Sequence, residues 1–206
     1  MPHSSLEFKH VIRGNIEAIH QGIDLISALS DEQYVHIASP YVSSSIGAHF
    51  RHVVDMYSAL MTSDSEQQVS DIVDYDVRRR GALIEKRRDI AIEELRSLED
   101  WITQLTNNAS EASNVGDAIV KQKQQSISLK SEVTLSDSCS VIVETSLIRE
   151  LIFVGSHAVH HYALINVIAK LQGVTLSGSL GIAPATATFL REQDGSSTSE
   201  TPLVNC

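Results

Sequence analysis

Residues 155–162 read Gly155-Ser156-His157-Ala158-Val159-His160-His161-Tyr162, which sets three histidines inside an apolar, helix-patterned run. His157 and His161 are four apart, so on a helix both rings project from one face, one turn above the other. The same face carries Leu147, Glu150, Val154, Leu164 and Ile168, a stripe that reads as core-facing. Burying an unpartnered imidazole is costly. A metal ion is one partner that satisfies two rings at this spacing. The plainer alternative is a pair of packed histidines with ordinary hydrogen bonds.

About a hundred residues earlier lies a second cluster, Ser45-Ile46-Gly47-Ala48-His49-Phe50-Arg51-His52-Val53-Val54-Asp55-Met56-Tyr57. Ile46, His49, Val53, Met56 and Leu60 follow one helical stripe, and His52 sits beside it with Met56 and Ala59. If the two helices pack together, one histidine of the first joins two of the second. Three nitrogens with open coordination positions suit catalysis, whereas closed structural zinc sites use four protein ligands.

Working outward, Phe8, Ile12, Asn15, Ile19, Gly22, Ile26 and Leu29 recur at spacings of three and four and predict a first helix from about Ser4 to Leu29. Ser30-Asp31 and Ser39-Pro40 bracket a loop, and Ser43 to Ser45 offer caps for a second helix running to about Thr62. After a polar connection, 63–76, a third helix is expected over about Arg78 to Asn107. Its apolar face is Leu83, Ile84, Ile90, Ala91, Leu95, Leu98, Ile102 and Leu105. Ser126 to Lys130 and Ser140 to Glu144 read as a small hairpin. A fourth helix follows from about Ser146 to Gln172, with Gly173 as its C-terminal stop and a short helix after Pro184. The pattern predicts an all-α four-helix bundle over 1–192, with a small β-hairpin in the connection between the third and fourth helices. Residues 193–206, rich in Ser, Thr, Gly and Glu, are expected to form a disordered tail.

The chain has 206 residues, 42% hydrophobic and 20% charged, which suits one soluble domain with a real core. A net charge of −10 argues against nucleic acid as a partner, since that needs a basic face. Two cysteines, Cys139 and Cys206, are too few for a disulfide framework and point to a reducing, cytoplasmic setting. No signal-peptide pattern opens the chain, and the run from Leu151 to Ile168 carries too many histidines to span a membrane comfortably.

A histidine on the second helix followed by His-x-x-x-His on the fourth resembles the DinB-like superfamily of metal-binding four-helix bundles. That superfamily includes the damage-inducible DinB proteins, the YfiT-type proteins, the bacillithiol and mycothiol transferases, and the amino-terminal part of ergothioneine-type sulfoxide synthases. The matching segments are Ser45 to His52 and Ser156 to Ile165. A little-characterised subgroup also resembles this chain at Val73 to Arg78, Leu147 to Leu151 and Gly181 to Thr186. The resemblance implies an up-down-down-up bundle and a divalent ion held by three histidines. His157 and His161 match the His-x-x-x-His, and His52 aligns best as the third ligand, with His49 as its rival. It also implies a metal-dependent activity, a thiol transferase or a hydrolase, with a small-molecule thiol as cosubstrate in the first case and a homodimer as a compatible assembly. The alternative is a helical bundle that binds a metal or a ligand without catalysis.

Three neutral imidazoles favour zinc, nickel or iron(II) over magnesium or calcium; zinc is the default. Around them, Asp55 either orients an imidazole or pairs with Arg51 four residues away. Glu150, seven residues before His157, is either a carboxylate serving the site or the partner of Arg149 or of a third-helix arginine. His49 either lines the pocket or packs as an ordinary histidine. Asp74, Asp76 and Arg78 either overhang the pocket mouth or are surface-loop charge. His160, about 100° round the helix from His161, is not expected to be a ligand.

Overall fold

A computed structural model of the chain describes residues 3–63, 72–111, 126–176 and 178–197. Six helices and three strands lie among them. In chain order these are α1 (His3–Ser27), α2 (Asp31–Val35), α3 (Ile46–Ser63), β1 (Ile72–Asp74), α4 (Arg88–Glu111), β2 (Ser126–Glu132), β3 (Ser140–Ser146), α5 (Leu147–Leu171) and α6 (Pro184–Ser197). A 3-10 turn, Leu83–Glu85, precedes α4.

The stripe predicted on α1 is buried along its whole length, from Phe8 through Ile12, Asn15, Ile19 and Ile26 to Leu29. It faces α4 and α5, and α3 packs on the same two helices, so four long helices surround one aliphatic core. Cross-contacts give their directions. An added Cβ at Gly155 would meet Asn15 and one at Gly22 would meet Tyr162, so α1 and α5 run the same way. His20 pairs with Glu99 while Arg88 donates to the carbonyls of Ile26 and Leu29, so α4 runs against α1. His52 meets His157 and His49 meets His161, so α3 runs against α5.

The protein is mostly helical, but the hairpin expectation was too small. β2 and β3 pair antiparallel from Ser126–Ser146 to Glu132–Ser140, and β1 adds a parallel third strand, Ile72 to Asp74 against Ser128 to Lys130. The short β1 carries one fully buried residue, Val73, and is reinforced by Lys130 bonding Asp74 at 2.8 Å. Three residues are too few for an alternation to show in sequence.

Other boundaries move for local reasons. α4 begins ten residues later than expected, because 78–87 is occupied by turns and the 3-10 segment, with Gly81 at φ 79. Leu83, placed on the helix face by the sequence, is consequently 61% exposed. The loop after Ser30 contains α2, closed by a reciprocal cap in which Ser30 Oγ accepts from Gln33 N and Gln33 Oε1 accepts from Ser30 N. Helix α6 extends to Ser197, into the segment expected to be a disordered tail; residues 198–206 lie outside the described part.

Helix α5 is long and apolar enough to cross a membrane on length and composition alone. Its buried side nevertheless packs in the bundle, with Leu151, Val154, Ala158, Tyr162, Ile165 and Ile168 in the shared core. Leu164, assigned to the core stripe from sequence, is 40% exposed instead. The residues that fill the core at this level are Ala158 and Tyr162, each one position on from a histidine, and Ile165, one position on from Leu164.

Candidate metal centre

Helix α3 starts where Ser45 Oγ accepts from Ala48 N, and its first turn is pressed against the 3-10 turn. At Gly47 a Cβ would come within 2.2 Å of the Glu85 carbonyl oxygen, so only glycine permits this approach. The contact fixes the turn of α3 that carries His49, Arg51 and His52. Across from it, α5 presents His157 and His161.

The ring nitrogens converge. His157 Nε2 lies 2.9 Å from His52 Nε2 and 3.1 Å from His161 Nε2, and one ligand atom from each of the three rings falls within 4.8 Å of the others. Tetrahedral zinc with Zn–N bonds of about 2.05 Å needs N···N separations of roughly 3.3 Å. The two short contacts of His157 therefore need to lengthen by only a few tenths of an ångström. The donor chemistry agrees. A neutral imidazole nitrogen offers either one proton or one lone pair, so three nitrogens around one point cannot all be satisfied by each other. A cation at that point would satisfy all three.

His49 occupies a different place. Its Nδ1 lies 2.9 Å from Nδ1 of His161, on the side of that ring facing away from the other two histidines. It meets His161 from behind, the position from which an outer partner fixes a ligand's tautomer and tilt. All four rings are only partly buried. Burial, then the positive charge of Arg78, holds His52 down to about 4. Burial and the neighbouring histidines hold His161 down to about 3. His49 and His157 are lowered too, both chiefly by burial. The imidazoles are thus neutral at neutral pH, with lone pairs free to bind a cation.

Apolar and cationic groups frame the cluster. Phe153 stacks on His157 with ring centroids 5.8 Å apart, and the Arg149 guanidinium carbon sits 5.3 Å from the centroid of the same Phe153 ring. Sequence reading missed Phe153, although its position one turn before His157 was a usable signal. Arg78 reaches back to the Tyr75 carbonyl and to Met56 Sδ at 3.8 Å. His160 is exposed and contributes no nitrogen to the group, as expected.

The two acidic candidates go to structural partners. Asp55 accepts from Arg51 Nη1 at 3.2 Å, from Arg79 Nε at 2.6 Å and from Arg79 N at 3.1 Å. Arg51 in turn donates to Glu85 at 2.9 Å. The expected Arg51 pair is present, but buried rather than on the surface. Glu150 is fully buried and accepts from Tyr75 Oη at 2.9 Å, Thr145 Oγ1 at 2.7 Å and Arg149 Nη1 at 2.6 Å. It ties α5 to the sheet side and makes no hydrogen bond to an imidazole. Asp74 bonds Lys130, and Asp76 accepts from Glu132 N, so both serve the sheet. A cavity of about 480 Å³ lies elsewhere, between α1 and the segment after α5, lined by Glu17, His20, Asp24, Leu176 and Leu180.

No family model matches the chain, and no solved structure matches it. Among curated proteins it is similar to "FK506-binding protein 5" of Rhizopus delemar, 26% identical over 193 residues. The match covers 92% of this chain and 41% of that protein, so the chain spans less than half the length of its relative.

Proposed function

We propose that the chain is a metal-dependent enzyme of the DinB-like superfamily, a thiol transferase or a hydrolase, in which His52, His157 and His161 hold a divalent ion. The observation that carries this is the convergence of three neutral imidazole nitrogens from two helices within 4.8 Å. The directions of α1, α3, α4 and α5 agree with the up-down-down-up order of that superfamily. Zinc is the first choice of ion, with nickel and iron(II) as alternatives for an all-nitrogen set. When bound, such an ion supplies Lewis acidity, which brings a coordinated water or thiol to its ionised form near neutral pH.

The chain's own residues have separable parts in this reading. His49 holds Nδ1 of His161 and so fixes the ring that presents Nε2. Phe153 shields one face of His157 from water. Among the described residues no cysteine serves the site: Cys139 is exposed in the turn between β2 and β3, so a thiol would arrive as a small molecule from a reducing cytoplasm. Elemental analysis of untagged protein tests the proposal. One equivalent of a transition metal is expected, lost in His157→Ala; wild-type protein that neither retains nor takes up metal would end it.

A second reading is a non-catalytic bundle braced by the ion. A cavity of about 480 Å³ beside α1 stands apart from the histidines, which favours it. Chelation separates the two. A brace lowers the melting temperature strongly on removal, whereas a catalytic ion abolishes turnover of a thiol with an electrophile at smaller cost to stability.

A further inference from the structure

Arg78 is distinguished from the arginines around it by what it lacks. Arg51 is tied to Asp55 and Glu85, and Arg79 to Asp55 and Glu94. Arg78 is half-buried, yet its hydrogen bonds go to neutral acceptors, the Tyr75 carbonyl and the Met56 sulfur. Among the described residues no carboxylate lies within ion-pair distance of it. Partly burying a guanidinium without a counter-charge is unfavourable, and the deficit is relieved when an anion binds.

Its position gives that deficit a direction. Met56 is one turn beyond His52 on α3, so the guanidinium that touches Met56 sits one turn along the same helix face from the imidazole cluster. Its charge is felt at both His52 and His157, where it favours the neutral rings. Asp76 and Asp55, the acids nearest in effect, are already engaged by Glu132 N and by Arg51 and Arg79.

We propose that Arg78 is the anion-holding half of the histidine site, so that its ligand is a small molecule carrying a carboxylate next to the atom that reaches the three histidines. The inference rests on the metal-site reading. It narrows the substrate class: neutral thiols or neutral esters of the same size bind weakly, and carboxylate-bearing ones bind well. A planar guanidinium takes a carboxylate through two parallel hydrogen bonds, which also sets its orientation.

The test uses full-length protein loaded with cobalt(II), whose spectrum reports thiolate coordination. Mercaptoacetate and 2-mercaptoethanol differ in a carboxylate against a hydroxymethyl group, and both are titrated. Cobalt uptake with mercaptoacetate bound at least about tenfold more tightly is the expected result. Arg78→Gln should erase that preference and Arg78→Lys should keep part of it. If cobalt is taken up but wild-type protein binds the two thiols equally, or Arg78→Gln keeps the full preference, the inference is overturned while the metal reading stands. If cobalt is not taken up at all, both fall together. Equal binding of the two thiols by wild-type protein overturns the inference even if Arg78→Gln fails to fold, as judged by circular dichroism, and Arg78→Lys then carries the assignment of any preference.

Discussion

Two polar clusters grow from the same turn of α3, and they are opposites. On one side Arg51 and Asp55 belong to a closed network, in which Arg51, Arg79 and the Arg79 amide meet Asp55 while Glu85 and Glu94 take the remaining guanidinium donors. On the other side His52 meets His157, which meets His161, and among the described residues no carboxylate or carbonyl closes the group. The closed network has spent its hydrogen-bonding capacity on folding. The open one has kept lone pairs in reserve. The difference teaches where to look for function in a chain without an informative relative: a cluster that satisfies itself holds the fold, and one that cannot is waiting for something.

Breaking each cluster in turn should separate their roles. The largest effect is expected from His157→Ala, which removes the nitrogen shared by both short contacts. Zinc affinity, measured by competition with a chromophoric chelator, should fall by more than the roughly 100-fold that loss of an outer partner costs. The fold should survive, since the ring is only half-buried. Asp55→Ala should do the reverse: chemical denaturation should show a loss of about 1.5–3 kcal/mol from removing the buried acceptor shared by two arginines, with zinc stoichiometry kept. If Asp55→Ala instead empties the site, the division between the clusters is wrong.

Smaller effects sharpen the same contrast. His49→Phe keeps the ring's bulk but removes the hydrogen bond to His161 Nδ1. A drop in zinc affinity of about 10- to 100-fold is expected; an unchanged affinity would make His49 a packing residue only. The smallest effect concerns acid. His52 and His161 are held at about 4 and about 3, below the 6.5 of a free imidazole. Between those values and 6.5 the unfolded chain binds more protons than the folded one, so metal-free protein loses stability as pH falls through that window. The rings are partly exposed, so the melting temperature should decline by only a few degrees between pH 7 and pH 5. His157→Ala, lacking one of the depressed groups, should show a shallower slope.

Much of this was legible in the residues, and the exceptions have physical causes. The α1 stripe could be read because seven positions repeat one helical period, and burial follows it to the last residue. That one histidine of α3 would join His157 and His161 followed from period as well, once two amphipathic helices were granted a common core. The choice between His49 and His52 did not. Both lie on faces consistent with the core, three residues apart, and only the rotation of α3 against α5 sets one at the cluster and the other behind His161. Glu150 was legible as buried but not as a sheet anchor, because Tyr75 is contributed by a segment whose strand is three residues long. Arg78 carried two readings in sequence, and the lack of an acid within ion-pair distance among the described residues, which no local pattern encodes, is what supports the pocket reading over surface charge.

The histidines are spaced by three on α3 and by four on α5, and the helices run in opposite directions. Sliding one helix past the other by a single turn, about 5.4 Å, would set His161 opposite His52 and strand His157 with no counterpart. The cluster is thus a vernier for the bundle: it reads true at one setting only. If the proposed ion binds, any recombinant hybrid, loop graft or circular permutant of this chain carries its own internal gauge of correct alignment, readable as stoichiometric metal uptake before a single coordinate is determined.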